Sequence, residues 1–298
     1  MKCALFGFGY WGKIIKKYLD KSDIFSIKYI YYPSMENEVN IQAILDDKEI
    51  ECIFICTPID THYELTKKAI LAGKHVFCEK PLCKYTNEVN ELIKISLNNN
   101  VCLYTDYIYT NSHSINHIKD KIKEIGKINY IKAEIKQFGN FYKNDDVYAV
   151  IGVHMIASIL YILSQNEDIV FDITESIIIR KDKSNILHSI LKFIINKEIC
   201  GSIECSLTTN RKCRNIEFIG EYGSFYFDMM SQNTVEEILL EKENTGFSIK
   251  EENYFTYDES NNLNLAIDDF YNAINNDRFS NLKLALRVTQ IIERINLL

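Results

Sequence analysis

The sequence predicts an α/β protein in two parts, with a parallel sheet in its first third and a large, mainly antiparallel sheet in the rest. Three observations predict this fold class. Short apolar runs alternate with amphipathic stretches over the first hundred residues. A glycine-rich turn, residues 7–12, follows the first of these runs. From residue 169 to residue 254, strand-like runs succeed one another with only short polar turns between them.

The first part alternates strands and helices. Its apolar runs predict strands at 2–6, 26–31, 51–56, 75–77 and 101–104, and its amphipathic stretches predict helices at 11–19, 41–47, 61–71 and 86–97. This alternation predicts a parallel sheet with right-handed crossovers. Only 17 residues run from 34 to 50, which leaves little room for further elements.

The pattern changes after residue 109. We predict a helix at 115–125, a strand at 128–138, an apolar helix at 150–163, then the successive strands, and two closing helices at 263–275 and 282–297. We therefore divide the chain into a first domain, 1–109, and an α+β second domain, 110–298. The second has few helices to cover both faces of its sheet, so we expect an open-faced sheet that pairs with another copy of the chain.

Composition excludes several classes of protein. The chain has 34 Lys and Arg against 41 Asp and Glu, and an acidic surface argues against nucleic acid as a partner. The longest apolar run, residues 149–163, is too short to cross a membrane. Nine cysteines, an odd number, lie partly within apolar runs, as free thiols of a cytoplasmic protein do. No CxxC or HExxH spacing occurs, so we predict no metal site.

The glycine turn matches GxGxxG, directly after a predicted strand and at the start of a predicted helix. Gly7 permits a tight turn, Gly9 lets a pyrophosphate approach the backbone, and Gly12 lets helix and strand pack closely. The helix N-terminus favours the phosphate charge. The sequence therefore predicts a dinucleotide site, with candidate contacts at Gly7, Phe8, Gly9, Tyr10, Trp11 and Gly12.

The ribose end of this site departs from the usual pattern. A carboxylate is expected at the end of the second strand, but that position holds Tyr32 and its neighbours Tyr31 and Pro33. No Lys or Arg occurs from residue 29 to residue 47 to meet a 2′-phosphate. We therefore predict NAD as the cofactor, with NADP not excluded.

A second set of motifs lies at residues 57–82. It reads TP at 57–58, TH at 61–62 and AGKHVFCEKPL at 72–82. With the glycine turn, it resembles the Gfo/Idh/MocA oxidoreductases, a family named after glucose–fructose oxidoreductase and inositol dehydrogenase. GVH at 152–154 resembles the active-site helix of that family, and residues 214–228 resemble its C-terminal sheet. The resemblance thus covers nearly the whole chain. Relatives usually fit a helix, a strand and another helix where this chain has only residues 34–50, so the resemblance implies a first sheet that has lost a strand.

The resemblance implies a Rossmann domain, an NAD(P) cofactor, and hydride transfer to or from a carbon of a sugar or nucleotide sugar. It implies dimers or tetramers formed through the C-terminal sheet. Lys80 and His154 fall on the family's catalytic Lys and His, which handle the proton of the substrate hydroxyl. The implied cofactor contacts beyond the glycine turn are Thr57, Pro58, His62, Glu79 and Lys80, and the implied substrate contacts are Lys80, Tyr107 and His154.

One departure from the family bears on catalysis. Relatives usually carry Asp one helical turn before the active-site His, where this chain has Val150. The nearest acids, Asp145 and Asp146, lie further upstream. An enzyme would have to handle its proton without the usual Asp or recruit one of these two. The alternative is a non-catalytic family member that binds a nucleotide, a sugar or a protein partner.

Overall fold

The computed structural model describes residues 1–32, 40–139, 146–163, 169–180, 185–230 and 234–298. These residues form two compact units. Unit 1 comprises Met1–Ile108 and Asn262–Glu293, and unit 2 comprises Tyr109–Asn261 and Arg294–Leu298. The structure differs from the sequence-based division in one respect: residues 262–293, which we assigned to the second domain, pack within unit 1.

Unit 1 is built on a five-stranded parallel sheet with the strand order β2-β1-β3-β4-β5. Its elements alternate along the chain as predicted. They are β1 (Lys2–Phe6), α1 (Tyr10–Leu19), β2 (Ser26–Tyr31), α2 (Ile41–Asp46), β3 (Cys52–Ile55), α3 (His62–Leu71), β4 (His75–Glu79), α4 (Thr86–Asn99) and β5 (Leu103–Asp106). The predicted parallel sheet is confirmed.

The burial of these strands follows their place in the sheet. Strand β3 reads CIFI and is buried at all four positions, because a central strand of a parallel sheet is covered on both faces. Strand β2 is nowhere fully buried and lies at the edge. The usual six-stranded doubly wound sheet has a further strand outside this edge. Within the described residues the sheet has five strands, which confirms the predicted shortening.

Unit 2 is built on an eight-stranded sheet with the order β13-β12-β11-β10-β6-β9-β8-β7. All its neighbouring strands are antiparallel except β6 and β9, so the predicted mainly antiparallel sheet is confirmed. Its elements are α5 (His113–Lys121), β6 (Ile128–Phe138), α6 (Val153–Leu163), β7 (Phe171–Arg180), β8 (Ile186–Ile195), β9 (Ile199–Ser206), β10 (Thr208–Gly220), β11 (Gly223–Asp228), β12 (Thr234–Glu243) and β13 (Gly246–Thr256).

The two faces of the unit 2 sheet differ in chemistry. Alternate residues of β6, namely Ile131, Ala133 and Ile135, are buried on one face. The other face carries ion pairs: the Lys136 ammonium lies 3.1 Å from carboxylate oxygens of both Glu134 and Glu204. This second face is polar at its centre, as an open antiparallel sheet permits.

Two helices, α7 (Asn262–Asn275) and α8 (Leu282–Asn296), close the chain. Phe270 of α7 is fully buried, and its ring lies 5.7 Å from that of Phe54, 5.6 Å from that of Phe77 and 5.9 Å from that of Tyr104. The apolar stripe of α7 thus packs on strands β3, β4 and β5, which is why this helix belongs to unit 1.

The apolar helix predicted at 150–163 begins two residues earlier, as a π-helical turn over Tyr148–Gly152 that continues into α6. Asp146 caps this turn, because its Oδ1 accepts the backbone N–H groups of Tyr148 (2.7 Å) and Ala149 (2.9 Å). Among the described residues, no helix is long and apolar enough to span a membrane.

Candidate active site

The glycine loop has the geometry that a dinucleotide requires. Gly7 has φ +96°, and a Cβ on it would lie 2.7 Å from the carbonyl carbon of Cys56. A Cβ on Gly12 would lie 2.1 Å from the Gly7 carbonyl oxygen. Gly9 differs, because a Cβ there would meet no atom within 4 Å. The outer two glycines are therefore required by packing, whereas the middle one leaves open space for a ligand group beside the backbone.

A cavity of about 630 Å³ opens beside this loop. Its wall includes Tyr32, the residue that follows β2, so the predicted ribose position does lie beside the glycine loop. Two cations of α1 also line it, and both lie outside residues 29–47, the stretch in which a cation for the 2′-phosphate was expected. The lining residues are Phe8, Gly9, Tyr10, Lys13, Ile14, Lys17 and Tyr32. Positions 10, 13, 14 and 17 share one helical face. This spacing could have predicted that Lys13 and Lys17 lie on the same side of α1 as Tyr10, beside the glycine loop.

The ends of three strands bring polar groups together at the carboxyl edge of the sheet. Glu79 ends β4, Asp106 ends β5, and the two are directly paired in the parallel register. Cys56 follows Ile55, the last paired residue of β3. Paired residues of neighbouring strands point to the same face, with backbones about 4.8 Å apart. The Glu79 and Asp106 side chains therefore point to the same face of the sheet from neighbouring strands, and both are buried.

Burial and mutual repulsion control the charge of this acid pair. Burial raises the pKa of Glu79 to about 7, against the favourable charge of Lys80. Burial, and then the negative charge of Glu79, raise the pKa of Asp106, and Lys80 opposes the shift. The Lys80 backbone N–H also donates to Glu79 Oε2 at 3.2 Å. Glu79, Lys80 and Asp106 therefore form one electrostatic cluster.

Sequence reasoning missed Asp106 as a member of this cluster. It identified Glu79 and Lys80 from the motif, but it sought the missing carboxylate upstream of residue 150. Only the register between β4 and β5 places Asp106 beside Glu79, and a single sequence does not reveal that register.

His62, a predicted cofactor contact, has both ring nitrogens occupied within the protein. Nδ1 lies 2.9 Å from the Pro81 carbonyl oxygen, and Nε2 lies 2.8 Å from the Thr57 carbonyl oxygen. The ring is 2% exposed. His62 therefore lies between the loops that follow β3 and β4 and contacts both of them. In the second of these loops, the peptide bond between Lys80 and Pro81 is cis. Thr57 is half-buried and Pro58 is exposed.

The remaining predicted residues differ in exposure. Tyr107, a predicted substrate contact, is 1% exposed, and burial raises the pKa of its hydroxyl. Trp11, a predicted cofactor contact, is 40% exposed and packs edge-on against Tyr10.

In unit 2, His154 is half-buried at the start of α6. The Tyr109 ring packs edge-on against it, with centroids 5.0 Å apart. The Tyr109 hydroxyl accepts a hydrogen bond from Arg214 Nη1 at 2.9 Å, and Arg214 Nη2 donates to Gln137 Oε1 at 3.1 Å. His154 thus lies among polar side chains and not in a purely apolar core.

The acids proposed to replace the Asp missing at position 150 do not supply a free carboxylate in the described residues. Asp145 lies outside them. Asp146 is buried, and its Oδ1 is used in capping the helical turn. Asp146 is thus a buried helix cap.

Comparison with known proteins finds a family model that matches the first part of the chain. Residues 1–107 match the model of GFO_IDH_MocA, described as an oxidoreductase family with an NAD-binding Rossmann fold. An uncharacterised oxidoreductase of Streptococcus pneumoniae is 27% identical over 134 residues, which cover 42% of this chain and 36% of that protein. The chain thus aligns with about a third of the length of this relative.

Solved structures resemble the whole chain. UDP-N-acetylglucosamine 3-dehydrogenase GnnA from Acidithiobacillus ferrooxidans gives a TM-score of 0.81 at 18% identity, covering 100% of this chain and 96% of that one. An inositol dehydrogenase homologue from Azotobacter vinelandii, complexed with NADH and myo-inositol, gives 0.79 at 15% identity, covering 99% and 94%. These superpositions confirm the two-part fold. The family match confirms the predicted resemblance over residues 1–107 and a nicotinamide dinucleotide as the cofactor class.

Proposed function

We propose that this chain, whose residues 1–107 carry the NAD-binding Rossmann domain of the Gfo/Idh/MocA oxidoreductases, transfers a hydride to or from a carbon of a sugar or nucleotide sugar. The observation that carries the proposal is the carboxyl edge of the unit 1 sheet. The open space at Gly9 and the cluster of Lys80 with two buried acids lie on this one edge. Ligands of open parallel sheets bind at this edge.

The nicotinamide cofactor, when bound, supplies or accepts the hydride. The residues of this chain bind and orient it and handle one proton. Gly7, Gly9 and Gly12 would hold the pyrophosphate, with Tyr32 beside the ribose. In the oxidising direction, a hydroxyl proton of the substrate passes to Lys80 or His154 as the hydride leaves the carbon; in the reducing direction the same group returns it.

Calorimetric titration with NAD and NADP tests the cofactor half of this proposal. Gly9→Ala is the decisive variant, because its methyl group meets no protein atom within 4 Å but fills the space proposed for the pyrophosphate. We expect this variant to fold normally and to lose at least tenfold in affinity. Gly246→Ala, where a Cβ also meets nothing within 4 Å, is the matched control and should bind as the wild type does. Failure of the wild type to bind either dinucleotide would exclude the proposal.

A panel of nucleoside-diphosphate sugars and free sugars, assayed by the absorbance of reduced nicotinamide, tests the chemical half. We expect Lys80→Ala to abolish turnover. Lys84→Ala is the control, because that lysine forms an ion pair with Asp60 and is assigned no part in the reaction.

Val150 favours the second candidate function, a non-catalytic protein that binds a nucleotide, a sugar or a protein partner. A valine cannot accept a proton or stabilise a charged base. If the chain is an enzyme, Val150→Asp should raise its turnover. If dinucleotide binds but neither wild type nor Val150→Asp reduces or oxidises it with any sugar, the binding function is the better account.

We further propose a cytoplasmic location and a homo-oligomer formed through the unit 2 sheet. All nine cysteines are free, and seven of them lie in unit 1 or in the buried face of unit 2, as expected in a reducing compartment. The open face of the unit 2 sheet is the surface we propose for self-association.

A further inference from the structure

Glu79 and Asp106 form a buried acid pair in unit 1, and burial disfavours the ionised form of both carboxyl groups. Glu79 is 6% exposed and Asp106 is 3% exposed. If both were ionised, two negative charges would share a single nearby ammonium, that of Lys80. A buried and uncompensated charge is costly, and the usual remedy is to bind a proton.

The hydrogen bonding of Asp106 points the same way. Its Oδ1 is buried and, within the described part of the chain, has no hydrogen-bond partner. An ionised carboxylate would leave that oxygen both charged and unpaired. A neutral carboxyl, with a second carboxyl beside it, can place its proton between the two groups, as closely spaced carboxyl pairs do.

We infer that Glu79 and Asp106 hold one proton in common and serve as the proton reservoir of Lys80, in a chain that has Val150 in place of the usual Asp. The shared proton rests on the register of the two strands, on the burial of both acids and on the unpaired Asp106 Oδ1, and it does not depend on the proposed function. The reservoir role rests on the proposed function, since it requires Lys80 to exchange a proton with substrate.

The proton balance of the reservoir step is simple. When the Lys80 ammonium has given a proton to a substrate oxygen, its amine takes the shared proton: an O–H bond of the acid pair breaks and an N–H bond of Lys80 forms. The pair is then fully ionised beside a restored ammonium, and solvent water returns the proton. In the opposite direction each transfer is reversed.

Several other titratable groups belong to this environment. From β3, Cys56 has a thiol whose pKa burial raises, and the charges of Glu79 and Asp106 add to the shift. From α3, His62 has a pKa that burial lowers, with a contribution from the Lys80 charge. From β4, Cys78 has a thiol whose pKa burial raises, and the charge of Glu79 adds to the shift. None of these carries a positive charge at neutral pH that could replace the shared proton.

Infrared difference spectroscopy tests the shared proton without any ligand. At about pH 7, where an ordinary Asp or Glu is ionised, we expect the wild type to retain the C=O stretch of a protonated carboxyl. Asp106→Asn should lose it, and in Glu79→Gln it should disappear at a lower pH because the like charge is gone. Glu88→Gln is the matched control, since burial raises the pKa of Glu88 on α4 as well. A wild type without the band, or an Asp106→Asn variant that keeps it, overturns the inference.

Proton exchange on cofactor binding tests the reservoir role. Titrating NAD⁺ and NADH in two buffers of different ionisation enthalpy gives the number of protons released. A cation brought near the pair lowers its pKa, so NAD⁺ should release protons from the wild type, more than NADH does, and Asp106→Asn should release none. Equal release by wild type and Asp106→Asn overturns the reservoir role. If no dinucleotide binds, the proposed function and the reservoir role both fail, and the infrared band alone decides the shared proton.

Discussion

The His62 ring holds the Pro81 carbonyl oxygen 2.9 Å from its Nδ1, immediately after the lysine proposed to handle the proton. The other ring nitrogen lies 2.8 Å from the Thr57 carbonyl oxygen. One side chain therefore connects the loops that follow β3 and β4. Burial lowers the pKa of this imidazole, so at neutral pH the ring is uncharged, and its single N–H can donate to only one of these two carbonyl oxygens.

Replacing His62 by Phe should destabilise unit 1. The change keeps an aromatic ring but removes the N–H donor, and a buried carbonyl left without a donor costs about 1–3 kcal/mol. His62→Gln, which retains a donor, should lose less. Urea denaturation followed by tryptophan fluorescence measures the difference. Equal stability of His62→Phe and wild type would show that the bridge contributes nothing.

The cavity beside the glycine loop yields a prediction about cofactor choice. Sequence favoured NAD because no cation lies between residues 29 and 47, but α1 supplies Lys13 and Lys17 to the cavity wall beside Tyr32. That argument against a 2′-phosphate therefore no longer holds. We expect Lys13→Met with Lys17→Met to weaken NADP binding by about fivefold to tenfold, roughly 1 kcal/mol for exposed charges, and to leave NAD binding nearly unchanged.

Calorimetry with both cofactors measures this prediction. Lys16→Met is the control, because Lys16 lies on the same helix but is paired with Asp20 at 2.5 Å. A double variant that loses NAD and NADP affinity equally would mean that the two lysines contact the pyrophosphate or stabilise the loop, and do not read the 2′-phosphate.

Much of the unit 1 fold follows from local sequence. The limits of β1 and β2 agree with the predicted runs because apolar side chains at those positions are interrupted by polar turns. The packing of α7 could not be predicted in this way. An amphipathic stripe shows that a helix is covered on one side, but not which sheet covers it, and Phe270 packs on a sheet more than 160 residues away in sequence.

The residues of the candidate site also fall into two groups, those that local sequence predicts and those that only tertiary packing determines. Gly7 and Gly12 could be predicted because their spacing directly reflects backbone geometry. The role of His62 as a bridge and that of Asp106 as a partner of Glu79 depend on which loop or strand lies alongside, and this is fixed by tertiary packing. One signal was available in the sequence. Glu79 lies at the end of a predicted strand, and Asp106 lies just after the next predicted strand, 101–104, so the two acids could have been expected at the same edge of the sheet.

The open face of the unit 2 sheet predicts self-association. Ile177 and Ile179 of β7 are 63% and 55% exposed, and apolar side chains on an open sheet are often buried against a second copy. We expect light scattering at micromolar concentration to give the mass of a dimer or tetramer. Ile177→Glu with Ile179→Glu should shift it toward the monomer, and Leu97→Glu on α4, where Leu97 is 48% exposed, should not. A monomeric wild type would contradict the prediction.

His75 makes stability depend on pH in a defined window. Its Nδ1 accepts the backbone N–H of Cys102 at 2.9 Å, which requires that nitrogen to be unprotonated. Burial, and then the positive charge of Arg278, lower its pKa to about 4 from an ordinary value of 6.5. Between these two pH values the unfolded chain binds a proton at His75 and the folded chain does not. The free energy of unfolding therefore falls as the pH falls from about 6.5 to about 4, and this contribution is fully lost below that.

Chemical denaturation of wild type and His75→Gln across this range isolates the effect. Gln keeps an oxygen that can accept from the Cys102 N–H but does not titrate, so the carboxyl groups of the protein contribute equally to both proteins. We expect the wild type to lose more stability than the variant between pH 6.5 and pH 4, and the two curves to run parallel above that window. Curves that stay parallel throughout would mean that His75 is protonated in the folded chain as readily as in the unfolded one, and that its bond to Cys102 does not hold the ring neutral.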